Sequence, residues 1–430
     1  MKKTFLIVWL VMMIILAISA VSFAEEVTLR LIWWGGQLRI DNTLKVIELF
    51  EEKYPNVKIE PEFLGYAEYW QRMGILAAAK DLPDVIQLNL PYFSQYVKKD
   101  LLLNLDPYVE DNRLDLTNAT EAEILGGRLN GSLYGVNCGT NTNMAYVYDP
   151  ELFQKAGVEE PTPDWTWEDY IEKAKKIHDV LGIYGDDKYL QEKDGKGLQS
   201  YLRQYGKDFY DKSGKKLGYE DDSLFVDYFT MIVDLVKDGV YPSLEVSLES
   251  GQSTFGEWLI TKQEAAMQPI CSSQLIALLE AAGRPLIMTT YPNAKDQVQY
   301  TAWVQPSMSF SVAKTSKYPE WAVKFIDFYT NDLEANKISL GERGVPISSK
   351  IREGLKPYLS DAAKQTFDFI EFLTMKYIGP VDFESLYAPK HPQVIDLYKT
   401  IYEKMLAGEL TPEEAAKEFR KEANKILAES

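Results

Sequence analysis

Trp33, Trp34, Gln37 and Arg39 set two indoles, an amide and a guanidinium around the pair Gly35-Gly36. Indole faces suit apolar C–H surfaces, and amides and guanidinium groups suit polar rims. The combination fits a ligand that is partly apolar and partly hydroxylated. Adjacent strand residues point to opposite faces, so at most one of the two tryptophans is forced into a core. The reading in which both are packed stays open, because Trp is so often buried. The glycines are not a dinucleotide fingerprint, since the later glycine of G-x-G-x-x-G is missing. The chain also has no H-E-x-x-H, no G-x-S-x-G and no P-loop.

The elements around this loop follow from periodicity. Val27, Leu29, Leu31 and Trp33 alternate with Thr28 and Arg30, and the pattern thickens to Ile32-Trp33-Trp34, as in a strand buried on both faces. Asp41 or Asn42 can cap a helix with Leu44, Ile47, Phe50 and Tyr54 on its apolar side. Tyr54-Pro55-Asn56 ends it, and Val57 and Ile59 alternate with Lys58 and Glu60 as a second strand. A β-α-β unit with a right-handed crossover implies a parallel sheet, whose ligands sit beyond the carboxyl ends of its strands.

Further along, Tyr66, Tyr69, Trp70, Met73, Leu76 and Ala77 have helical spacing, and Pro83 to Asn89 reads as a third strand ending at Asn89-Leu90-Pro91-Tyr92. From Tyr134 to Pro150, small and amide residues lie between two strand patterns with no helix between them, which suits a crossing between lobes. Thr166 with Asp169 is a capping-box start, and His178 falls on the apolar stripe of that helix, a packed position. Ala265 to Ile270 reads as a strand into a second crossing, with Cys271-Ser272-Ser273 opening a helix. Leu286 to Thr290 and Phe310 to Ala313 are strands, and Glu320 to Tyr329 is a helix before a third crossing. Thr411-Pro412-Glu413-Glu414 opens the last helix.

Composition bounds the rest. A chain of 430 residues holds two domains or one large one. Aromatics at 13%, including 27 Tyr and 9 Trp, again suit a partly apolar, partly hydroxylated ligand. A formal charge of −18 argues against nucleic acid and anionic membrane as partners. Lys2 and Lys3, the apolar run from Phe5 to Leu16 and the small residues Ser22-Phe23-Ala24 form an export leader, residues 1–24, cut before Glu25. An uncleaved anchor is the alternative, against which the run is short for a span. No Cys lies near the cut, so no lipid anchor is expected. Cys138 and Cys271 could pair in an oxidising compartment, which spacing alone does not decide. Without C-x-x-C and with only two His, no metal site is expected.

One order of blocks stands out. It runs Trp33-Trp34-Gly35-Gly36, then Lys53-Tyr54-Pro55-Asn56-Val57-Lys58-Ile59, then Leu82-Pro83-Asp84-Val85-Ile86. Leu133-Tyr134-Gly135-Val136, then Tyr146-Val147-Tyr148-Asp149-Pro150-Glu151-Leu152-Phe153 and Thr166-Trp167-Glu168-Asp169 follow. The likeness continues through Gln263 to Met267 and Tyr318 to Phe325. In this order and spacing, over essentially the whole mature chain, the sequence resembles the family 1 extracellular solute-binding proteins of bacterial ABC sugar importers. The Trp-Trp-Gly start with a following Arg is most similar to the branch that takes up pectin-derived oligosaccharides.

The resemblance implies an α/β, two-lobed periplasmic-binding-protein-like fold, each lobe a mixed sheet flanked by helices, with three crossover segments at the hinge. Residues 25–139 plus 270–328 are expected in the N-terminal lobe and 140–269 plus 329–430 in the C-terminal lobe. Crossings then fall near 136–143, 266–272 and 328–334. The implied role is to capture an oligosaccharide by hinge closure and deliver it to the permease subunits of the importer. It would act as an exported, periplasmic or cell-surface monomer, without catalysis or cofactor. The implied ligand residues are Trp33, Trp34, Gln37, Arg39, Asn89, Tyr92, Asn141, Ser272, Trp303 and Arg343. Asn89, Asn141 and Ser272 serve turns equally well, and Arg39 and Arg343 serve surface ion pairs equally well. The two arginines gain interest if the sugar carries a carboxylate, which guanidinium binds in a fork. Where the family often has a Trp, this chain has Gln274, which puts stacking there in doubt. The alternatives are an exported glycoside hydrolase or polysaccharide lyase, which would need two carboxylates at a fixed distance, and a binder of a non-sugar solute.

Overall fold

The computed structural model describes residues 26–142, 144–251, 254–300, 303–376, 388 and 390–429. The leader, 1–24, and Asn143 of the first expected crossing lie outside them. The opening unit forms as its periodicity predicts. Strand β1 (Val27–Trp34) pairs in parallel with β2 (Val57–Leu64), in a register that sets Trp33 beside Phe63 and Trp34 beside Leu64. Helix α1 (Gln37–Lys53) crosses between them. It starts earlier than Asp41 or Asn42, at Gly36, whose extended backbone is the N-cap, and Gln37 braces the first turn by donating to Asp41 at 2.7 Å. Helix α2 (Tyr66–Ala79) then leads to β3 (Val85–Leu88), the other parallel neighbour of β1.

After the small hairpin of β4 (Arg128–Leu129) and β5 (Ser132–Leu133) come β6 (Val136–Asn141) and β7 (Ala145–Tyr148). The remaining strands are β8 (Tyr184–Asp186), β9 (Ala265–Ile270), β10 (Ile287–Thr290) and β11 (Gln305–Val312). They sort into two mixed sheets, β2-β1-β3-β11-β6 and β10-β7-β9-β8. Each has its own core. In the first, Leu29, Leu31 and Trp33 meet Val46 and Phe50 of α1 and Phe325 of the helix Pro319–Asn331, while Ile32 and Trp34 meet Tyr69 and Met73 of α2. In the second, Tyr146 and Met267 face Tyr170, Tyr228 and Tyr291, and Ala145, Val147 and Ile270 face Leu275 and Leu278. Apolar burial of this extent is what holds each sheet to its helices.

The chain passes between the sheets three times: from β6 to β7, from β10 to β11, and between Ile347, in the first core, and Ile351, in the second. Two of these passages differ from the expected boundaries. Residues 270–290 belong with the second sheet, because β10 pairs with β7 and the helix Leu275–Ala282 packs on Ala145 and Val147. Residues 329–344 stay with the first, since Tyr329 and Ala335 lie in its core, and the two cores divide the next apolar residues, Ile347 packing in the first and Val345 in the second. The reason is physical: both boundaries depend on pairing and packing between residues far apart in the chain, which local periodicity does not encode.

The capping boxes at Thr166 and Thr411 form as expected. His178, half-buried, binds the Ile183 carbonyl at 2.9 Å. Both thiols, Cys138 and Cys271, are free, and burial pushes the Cys138 thiol up to about 12. Among the described residues no helix is long and apolar enough to cross a membrane.

Candidate functional site

The carboxyl ends of β1, β2 and β3 lie side by side, so the residues that follow each strand share one end of the first sheet. After β2, Gly65 is the N-cap of α2 and delivers Tyr66, Tyr69 and Trp70 within little more than one helical turn. Trp34, only 8% exposed, is surrounded by all three, with ring centroids 5.7, 5.0 and 5.6 Å away respectively. After β3, Tyr92 lies flat on Trp70 at 3.6 Å. Asn89 donates to the Tyr66 hydroxyl at 2.9 Å, and its own side-chain oxygen is buried without a partner among the described residues. Tyr66 is 50% exposed. The result is an aromatic collar that offers an open phenol ring and an unfilled amide acceptor.

Arg39 is held against this loop from two sides. Its Nε lies 2.5 Å from Glu342 Oε1, and its Nη1 donates to the Trp34 carbonyl at 3.3 Å. Gly35 makes the close approach possible, because a Cβ there would fall 2.4 Å from the Arg39 Cδ. Gln37 is exposed and turned to Asp41. At the first passage between sheets, Asn141 donates to Cys271 Sγ at 3.6 Å, and its side-chain oxygen is buried without a partner among the described residues.

Trp34, Arg39, Asn89 and Tyr92 are therefore brought together, and Asn141 stands at the passage. Four other expected ligand residues are enclosed. Trp33 is fully buried on the opposite face of β1, against Phe63, so it packs the core. Ser272 is committed to the hinge, where its hydroxyl accepts from the Thr142 N–H at 3.1 Å and its own N–H donates to the Thr142 carbonyl at 2.8 Å. Trp303 is buried beneath the Arg203 guanidinium and donates to Gln305. Arg343, 2% exposed, donates to Gln87 at 3.0 Å, Tyr329 at 2.9 Å and Thr43 at 2.8 Å. Gln87 in turn donates to the Trp34 carbonyl, so Arg343 props the loop from beneath. Gln274 accepts from the Cys271 N–H at 2.8 Å, a backbone role that leaves no stacking contact there.

Tyr66 and Trp70 belong to the collar, although the sequence offered them only as helix periodicity. Their signal was position: aromatics in the first turns of a helix that opens directly beyond a parallel strand. Glu342 had no local signal, since it meets Arg39 only through the fold. A second unforeseen cluster lies in the other sheet. Lys188 is buried with its ammonium 4.4 Å from the Trp167 ring and close to the rings of Tyr170, Tyr228, Tyr291 and Tyr146. Asp186 accepts from Tyr146 at 2.8 Å and also from Tyr170, and Glu192 accepts from Tyr228 at 2.6 Å and also from Tyr398. Burial pushes Asp186 up to about 7 and Asp187 to about 6, and lowers Lys188 to about 8. Sealed from solvent, this cluster organises the second core.

The profile of the bacterial extracellular solute-binding proteins matches residues 40–334. An uncharacterised ABC transporter extracellular-binding protein of Pyrococcus horikoshii is 24% identical over 162 residues, a match spanning 37% of this chain and 36% of that relative. Among solved structures, a family 1 extracellular solute-binding protein of Alicyclobacillus acidocaldarius is similar at 25% identity and a TM-score of 0.80, covering 94% of this chain and 99% of that one. A periplasmic oligogalacturonide binding protein of Yersinia enterocolitica, solved with saturated digalacturonic acid, is similar at 26% identity and a TM-score of 0.74, over 94% and 99% of the two chains. A substrate-binding protein of Listeria monocytogenes in complex with cycloalternan shares the fold at 23% identity and a TM-score of 0.72, over 93% and 99%.

Proposed function

The chain belongs to the bacterial extracellular solute-binding proteins, and from that premise we propose that it is the capture component of an ABC-type carbohydrate importer. One observation carries the reading: the collar of Trp34, Tyr66, Trp70 and Tyr92 at the strand ends, with the unfilled oxygen of Asn89 beside it. A sugar ring lays its C–H face on Tyr66 or the open face of Tyr92, and a hydroxyl donates to Asn89. Trp34 supports the platform from below.

The rest of the cycle is mechanical. Each sheet with its helices moves as a lobe, and the three passages between them act as the hinge that closes over the oligosaccharide. The first lobe comprises 26–141 and 305–347, the second the described residues within 144–300 and 348–429. The closed form then docks on membrane permease subunits, which receive the sugar. The protein works as an exported monomer after cleavage behind Ala24, with no lipid anchor, no catalysis and no cofactor.

A panel of oligosaccharides and peptides scored by melting temperature tests this. Ligand at 100 times its dissociation constant adds about 2.7 kcal/mol of stability, so a bound oligosaccharide raises the melting temperature. A rise with peptides and none with any sugar would overturn the reading, and so would turnover of the sugars that bind.

A further inference from the structure

Glu342 is the only acidic partner that the described residues give to Arg39, and it reaches it from the turn that follows the helix Leu333–Ser339, ahead of the third passage. Its two oxygens serve two guanidinium groups: Oε1 lies 2.5 Å from Arg39 Nε, and Oε2 lies 3.3 Å from Arg343 Nη1. The side chains of Arg39 and Glu342 are 16% and 12% exposed, so this pair is largely withdrawn from solvent. A guanidinium recognises a carboxylate through two adjacent N–H groups acting together. In Arg39 the Nε is committed to Glu342 and Nη1 to the Trp34 carbonyl. Nη2 makes no bond to a described residue, so the Nε–Nη2 fork has lost its Nε arm to Glu342, and a carboxylate is left only the Nη1–Nη2 end, beside the Glu342 charge.

Arg343 offers no substitute. It is sealed at 2% exposure, with its donors on Gln87, Tyr329, Thr43 and Glu342. Of the two guanidinium groups, Arg343 is thus out of a ligand's reach, and the charge of Arg39 is offset by Glu342 beside it. A ligand carboxylate near Arg39 would meet the charge of Glu342 at close range, and the chain as a whole carries −18.

We propose that Glu342 fills the place on Arg39 that a ligand carboxylate would take, so that the cleft selects neutral oligosaccharides over uronate ones. Arg39 Nη2 then donates to one hydroxyl oxygen. This rests on the reading of the collar as a sugar platform.

The test is calorimetry on the mature protein with matched pairs of neutral and uronate oligosaccharides, among them α-1,4-linked galactobiose and digalacturonate. The neutral member of each binding pair should bind at least about tenfold tighter. Glu342→Gln, which removes the repelling charge and replaces a charged acceptor on Arg39 Nε by a weaker neutral one, should shift that ratio toward the uronate by about tenfold or more. Glu342→Asp should keep the wild-type preference. Uronates that bind wild-type protein tighter than their neutral partners would overturn the proposal without recourse to any variant. So would a folded Glu342→Gln protein with an unchanged ratio. In both cases the carbohydrate reading survives, whereas failure of every sugar to bind would remove that reading and this inference together.

Discussion

Trp70 and Tyr92 lie face to face, with ring centroids 3.6 Å apart and planes 11° from parallel. One comes from the helix after β2 and the other from the helix after β3, so the stack joins two strand ends into one surface. It also covers a face of Trp70. The open aromatic surface is thus the far side of Tyr92 and the half-exposed Tyr66, with Trp34 enclosed beneath them.

Trp34 should therefore behave as a support. Packed against Tyr66, Tyr69 and Trp70, its replacement in Trp34→Ala leaves a cavity and should cost about 3–5 kcal/mol of stability. Chemical denaturation without ligand measures this. A variant that keeps its stability and loses only binding would move Trp34 from the support to the contact surface.

Gly139 and Gly344 let two hinge segments touch. A Cβ on Gly139 would fall 2.7 Å from the carbonyl carbon and oxygen of Gly344, which are backbone atoms and have little room to yield. Gly139→Ala should lower stability by about 1–3 kcal/mol, the usual cost of overpacking. An unchanged melting temperature would show that these segments separate freely.

The buried carboxyl of Asp186 gives a signed pH dependence. Burial raises it to about 7 from an ordinary value of 3.8, so between these pH values the folded state holds a proton that the unfolded state has released. Its contribution is complete below about pH 4 and is lost as pH rises through about 7. Lys188, lowered by burial to about 8 from 10.5, acts in the opposite sense, adding stability as pH rises above 8. In melting curves from pH 4 to 7, Asp186→Asn should fall less steeply than wild type, while equal slopes would contradict the assignment.

The thiols should differ in reactivity. Both residues are partly exposed, but burial around the Cys138 thiol pushes its value up to about 12, whereas the Cys271 thiol lies beside Ser273 Oγ at 3.1 Å, in an exposed pair. A thiol reagent should label Cys271 first and Cys138 only on unfolding, and a reductant should leave the melting temperature unchanged. A drop in melting temperature on reduction would reveal a disulfide instead.

Much of the first sheet was legible because its information is local. The alternation of Val27, Leu29 and Leu31, the Tyr54-Pro55-Asn56 stop and the Thr166 and Thr411 boxes each lie within a few residues of the structure they dictate. The boundaries of the lobes were not local. Ile287–Thr290 looks alike whether it joins one sheet or the other, and only its ladder with β7 decides. The site divides in the same way. Strand ends pointed to the place where Trp34, Asn89 and Tyr92 come together, but nothing beside Arg343 in the sequence shows that Thr43, Gln87 and Tyr329 will enclose it. Tyr66 was read by its spacing alone, which marks a helix and is silent on which turn faces the cleft.

The most direct test of the account is calorimetric titration of the tightest-binding oligosaccharide into wild-type protein and into Tyr66→Ala, with melting temperatures taken in parallel. Tyr66 is half-exposed at the centre of the collar, so its loss should weaken binding by about 2 kcal/mol, roughly 30-fold, while stability stays close to wild type. Equal affinities for the two proteins would contradict the collar as the place where sugar is held.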